Sequence, residues 1–238
     1  MEEAFVMNVR IKFRKNGVMK FIGHLDIMRY FQKAIRRAEI PIAFSAGFSP
    51  HMIMSFANPL GVGVTSDGEY FDIELREPIS SKEAVRRLNE QMVEGMEVVS
   101  FVEIPSDKKN KGMSIVAAAD YLSTIKVGVF PENWKDMVDE FFAQDAIMIL
   151  KATKKSKKEV NIRPMIYKLE VRDDSVFMQL ATGSVQNLKP ELVMEAFASY
   201  CGVADAKFVH HRLETYANIG TEESPVFAAL DELGTEIL

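Results

Sequence analysis

The chain has 238 residues, a net charge of −5 and a single cysteine. That length fills one large core or two ordinary ones, and 47% hydrophobic with 26% charged residues is a globular make-up rather than a disordered one. Cys201 alone excludes an internal disulfide and any cysteine-only metal or iron–sulfur site. No cofactor is therefore expected in the chain itself, and cluster chemistry would have to come from a partner.

No apolar run approaches the roughly 18 residues of a membrane span. The N-terminus MEEAFVMNVRIKF also lacks the basic-then-apolar order of a signal peptide. The expectation is a cytoplasmic protein with no membrane partner. Charge is segregated along the chain: residues 1–60 carry nine Lys/Arg against four Asp/Glu, and residues 61–105 reverse this at four against ten. Such segregation can build one basic surface on an acidic protein, and the local field matters more than the total.

In chain order, MNVRIKFRK (7–15) alternates with period two and reads as a half-buried strand. Residues 24–39 read as a helix ended by Pro41, 51–57 as a short strand, and 68–77 as a strand with one wet face. Ser80 or Ser81 caps a helix reaching about Glu94, with Glu83 placed for a capping box. Residues 96–104 close the set as a strand, giving βαββαβ, the ferredoxin-like order. The polar SDKKNKG (106–112) reads as a linker.

The second half repeats the order: strand 118–130, a helix opened by Pro131 and running to Phe142, strand 146–153, an irregular insertion 154–173, strand 175–182, helix 189–200 and strand 205–214. The expected fold is thus α+β, two tandem ferredoxin-like (βαββαβ) units with an insertion in the second. The corresponding domains are 1–105, 113–216 and an acidic C-terminal tail, 217–238.

Helix 24–39 sorts at 100° per residue into two arcs. Ile27, Met28, Phe31, Ala34, Ile35 and Ala38 fall on one side; Arg29, Lys33, Arg36 and Arg37 fall opposite, with Asp26 placed to neutralise one of them. Four cations on one face repel unless anions or a phosphate backbone lie nearby. A solvated helix face is the plain alternative.

The segment SAGFSPH follows. Gly47 can take positive φ, and Pro50 holds Ser49 extended, so the turn presents Ser45, Ser49 and His51. Phe48 can serve as a stacking platform or as a buried anchor, burial being the commoner fate of a lone phenylalanine. Gly61, Gly63 and Gly68 can allow close approach of a backbone or ligand, but no third glycine opens a helix as a dinucleotide site requires. His24 and His51 are candidates for an acid–base pair; a metal site is the weaker expectation, since no HxH or HxxxH spacing is present. KATKKSKKEVNIRP (151–164) holds six cations against one anion. Its Lys154, Lys155, Lys157 and Lys158 are either a solvated loop or a second contact with a polyanion.

Across Phe21–Tyr70 the residues resemble the radical-SAM-associated proteins of unknown function. Phe21, His24, Leu25, Asp26, Arg29, Arg36, Arg37, Ala38, Ser45, Gly47, Phe48, Pro50, His51, Gly63, Ser66, Gly68, Glu69 and Tyr70 match that family's motifs, and the likeness extends to KKEVNIRPMI and NLKPE. The resemblance implies a radical-SAM protein as partner, and a role in RNA modification or ribosome maturation. Paired ferredoxin-like units are also similar to those of the repeat-associated CRISPR RNA-processing endonucleases, an analogy of topology alone.

Three functions are then expected in turn. The first is an accessory protein that binds RNA through Arg29, Lys33, Arg36, Arg37, Phe48 and the lysine run, on a scaffold of Asp26, Ser45, Gly47, Pro50, Glu69 and Tyr70. The second is an RNA-processing or RNA-modifying enzyme using His24 and His51. The third is a protein–protein adaptor.

Overall fold

A computed structural model describes residues 5–152 and 157–238. The chain is α+β and divides into two compact units, residues 1–117 with 214–238, and residues 118–213. No helix among the described residues is long and apolar enough to cross a membrane.

In the first unit, β1 (Met7–Lys15) is followed by α1 (His24–Arg37), β2 (Met54–Phe56), β3 (Thr65–Leu75), α2 (Ser81–Asn89) and β4 (Met96–Ile104). The strand order is β4-β1-β3-β2, each neighbour antiparallel. The period-two pattern decides the two faces. Val9, Ile11 and Phe13 of β1 and Phe71, Ile73 and Leu75 of β3 join α1 in one core. Rings carry its centre: Phe13–Phe31 centroids lie 4.7 Å apart, Phe31–Phe71 4.6 Å and Phe56–Phe71 5.1 Å. Ser80 caps α2 by accepting from the Glu83 N–H. The Glu83 carboxylate, expected to complete a capping box, bonds Arg86 and Arg87 instead, which holds its pKa down at about 2.

The opposite face of this sheet is polar and also covered. Arg10, 1% exposed, donates to both oxygens of Asp72 (2.8 and 3.0 Å) and to the carbonyls of Asn110 (2.7 Å) and Leu230 (3.1 Å). The Gly112 N–H, at the start of the one-turn α3 (Gly112–Ile115), donates to Asp72 as well. One buried guanidinium therefore pins two chain segments that the sequence presents as linker and tail.

In the second unit, β5 (Val116–Val127) leads to α4 (Trp134–Phe142). A separate hairpin follows, β6 (Met148–Ala152) with β7 (Lys157–Asn161), and then β8 (Ile166–Arg172), β9 (Ser175–Ala181), α5 (Pro190–Tyr200) and β10 (Lys207–Asn218). The strand order is β10-β5-β9-β8. Within the stretch 146–153, expected as the unit's second strand, Met148–Ala152 instead form half of the β6–β7 hairpin, and residue 153 lies outside the described residues. The strand beside β9 is β8, inside the stretch read as irregular. A register shift between Ile166 and Lys168 explains the misreading: a bulge adds one residue and breaks the alternation. Buried Ile166 and Leu169 are thus separated by exposed Tyr167 and Lys168.

The strand β10 counts with the second unit up to Leu213 and with the first from Glu214. Beyond it, residues expected as an acidic tail form β11 (Phe227–Ala229), paired with Tyr216–Asn218, and β12 (Thr235–Glu236), paired with Val102–Glu103 of β4. Leu230 is fully buried between them. The apolar run VFAAL supplies the burial that a solvated tail could not have.

Candidate nucleic-acid interface

The helix α1 is preceded by Gly23, whose carbonyl accepts from the Asp26 and Ile27 N–H groups. Ile27, Phe31, Ala34, Ile35 and Ala38 are buried against the sheet, and Arg29, Lys33, Arg36 and Arg37 are exposed. Arg29 pairs with Asp26 at 3.3 Å. Among the described residues, Lys33, Arg36 and Arg37 have no ion-pair partner. Arg36 and Arg37 in the last turn also favour the negative end of the helix dipole, a helix-stabilising role worth about 0.3–1 kcal/mol at an exposed site.

The helix ends in a Schellman motif. Ile40 N–H donates to Ile35 O at 3.1 Å and Glu39 N–H to Arg36 O at 3.3 Å, with Glu39 itself at φ +53°. The chain is then clamped to β3: Ala43 N–H donates to Glu74 O at 2.7 Å, and Ile42 bridges Leu75. From this root a short hairpin rises. Ile53 N–H donates to Ala43 O, Ser45 N–H to His51 O at 2.9 Å, and Phe44 bridges Met52. His51 N–H donates to Ser45 Oγ, and the same oxygen lies 2.8 Å from His51 Nδ1. Gly47 turns the tip at φ +107°, which a side chain rarely adopts.

Phe48 stands at that tip, fully exposed and, among the described residues, without a ring contact. Burial, the commoner fate, would need apolar neighbours that the hairpin tip lacks: residues 46–51 are all exposed. Phe44, on the hairpin's flank, is 47% exposed.

The remaining candidates scatter. His24 packs edge-on against Phe56, centroids 5.0 Å apart, and lines a small recess with buried Lys15 and Glu69. It shares no hydrogen bond with His51, whose ring lies beside Ser45 instead. Tyr70 turns to the other face of the sheet, where its hydroxyl lies 2.7 Å from both Glu214 Oε1 and Asp231 Oδ1, beside Lys12. Burial and these two carboxylates push its pKa far above the phenol range.

Gly68 is explained by the chain's own backbone: an added Cβ would stand 2.7 Å from the Cα of Glu214. Lys158 is exposed on β7, whereas Lys154 and Lys155 lie outside the described residues. No group of three or more His, Cys, Asp or Glu among the described residues is arranged to hold a metal ion.

Sequence reasoning missed the Ser45–His51 lock, the exposure of Phe48 and the clamp on β3. Only the paired Gly47 and Pro50 in SAGFSPH signalled a turn there.

The fold and this surface define an α+β protein with a cationic helix and a projecting hairpin. The chain belongs to the family described as uncharacterized proteins conserved in bacteria (DUF2344), whose model matches residues 8–190. No curated protein matches it in sequence. Among solved structures it is similar to a chain of a Cbf5–Nop10–Gar1 complex, at 12% identity over 87% of this chain with a TM-score of 0.43. It spans about half (48%) of that chain's length. It is also similar to an unknown protein from Galdieria sulphuraria, at 11% identity over 87% of this chain and 99% of that one, with a TM-score of 0.28.

Proposed function

We propose that the protein is a non-catalytic RNA-binding or docking partner of a radical-SAM enzyme, acting in RNA modification or ribosome maturation from the cytoplasm. In this reading each unit is a ferredoxin-like module; the orders β4-β1-β3-β2 and β10-β5-β9-β8 support it, with the β6–β7 hairpin as the insertion. The radical-SAM partner rests on the resemblance across Phe21–Tyr70. The observation that carries RNA binding is three exposed cations, Lys33, Arg36 and Arg37, on one helix face and without ion-pair partners among the described residues. Such a row holds itself apart at a cost unless a polyanion fills the space opposite.

The test is RNA affinity of the full chain as a function of salt. Affinity is expected to fall steeply with salt, and Arg36→Glu with Arg37→Glu to abolish it. Salt-independent affinity, or none lost in that variant, would overturn the reading. Nothing in the placement of His24 and His51 favours the enzyme alternative.

A further inference from the structure

The geometry of the hairpin points to the form of RNA bound, and this step rests on the RNA reading above. We infer that Phe48 stacks on an unpaired base, so that the surface takes single-stranded rather than duplex RNA.

Three observations converge. The ring is fully exposed on a hairpin that its own hydrogen bonds hold in shape, through Ser45 N–H to His51 O and His51 N–H to Ser45 Oγ. A ring displayed on an ordered support loses little freedom on stacking, which is what makes an aromatic contact effective. The hairpin root is joined to the last turn of α1 through Ile40–Ala43, clamped to Ile35 and Glu74. Arg36, Arg37 and Phe48 are therefore fixed on one element pair, cations for phosphates and a ring for a base. In a duplex the base faces are already stacked, and the deep, narrow major groove of an A-form helix admits no side chain. Only an unpaired nucleotide offers backbone charge and a free base face together. The contact is indifferent to sequence, because every base has a π-face.

An apolar pocket on a protein partner would also take Phe48. RNA affinity of the chain alone separates the two: a contact with a partner's pocket leaves it unchanged in every Phe48 variant, whereas stacking is lost with leucine, which has no π-face. The experiment measures affinity of the full chain for a fluorescein-labelled oligouridylate and for an RNA duplex of equal length, in wild type, Phe48→Ala, Phe48→Trp and Phe48→Leu. Since Phe48 is fully exposed, all four are expected to fold alike, which thermal melting checks.

The single strand is expected to bind more tightly than the duplex. Phe48→Ala should weaken it about 5- to 150-fold, with Trp restoring affinity and Leu failing to. If Phe48→Leu or Phe48→Ala binds like wild type, or the duplex binds equally well, while binding still needs Arg36 and Arg37, stacking is overturned and RNA binding stands. If neither RNA binds the wild-type chain, both fall.

Discussion

Arg10 shows how one residue decides what a stretch of sequence becomes. Its guanidinium is buried with Asp72 and two backbone carbonyls as partners. A buried pair of this kind is weak evidence for stability in itself, but removing one member leaves an uncompensated charge. Asp72→Ala is therefore expected to cost roughly 3–5 kcal/mol in urea unfolding. It should also loosen the segments around Asn110 and Leu230, read as faster amide exchange there.

His210 makes a second prediction at this scale. It is buried, with Nδ1 2.7 Å from Ser123 Oγ. Burial pushes its pKa below the usual 6.5, against the pull of Glu191. The unfolded chain then takes up the proton first as pH falls, so the group's contribution is present above about pH 6.5 and is lost below it. Unfolding free energies at pH 7.5 and 5.5 should show that loss in wild type and a smaller one in His210→Gln. Equal losses would contradict the assignment.

At the scale of elements, the junction between α1 and the hairpin is the most consequential piece of the first unit. The helix stops where it does because Glu39 enters the left-handed region and Ile40 N–H reaches back to Ile35. Glutamate there carries a strain that glycine does not, of about 1 kcal/mol. Glu39→Gly is expected to raise stability by about 0.5–1 kcal/mol in thermal melts, the gain being reduced by glycine's greater freedom when unfolded. It should leave RNA affinity undiminished, since it keeps the hairpin root and removes an anion near Arg36.

The elements themselves were unevenly legible. β1 and β4 match their expected limits, and α4 its expected end; in β1 the apolar residues Met7, Val9, Ile11 and Phe13 alternate without a break in sequence. The hairpin at 43–53 was not readable as such: its bridges are single pairs, and Gly47 and Pro50 interrupt any period. β8 hid behind its bulge. β11 and β12 have only three and two residues, and they acquire meaning from partners that the sequence does not bring near.

Over the whole molecule, net charge misleads: −5 describes a chain whose first sixty residues are basic. The helical period divided α1 into its buried and exposed arcs, so the cationic face was legible. It could not tell that Tyr70 turns away from that face, that His24 leans on Phe56 rather than on His51, or that Phe48 is bare. Those facts depend on which sheet face a residue meets and on where a turn projects, both set by distant strands.

The central claim is that the α1 face binds RNA phosphates, and the salt dependence of affinity tests it most directly. With the full chain and a single-stranded RNA, phosphate contacts by Lys33, Arg36 and Arg37 predict a slope of log affinity on log salt of about −2, at roughly −0.7 per phosphate contact. Reversing Arg36 and Arg37 to Glu is predicted to remove measurable binding. A slope near zero, or a double variant that binds as wild type does, would contradict the account.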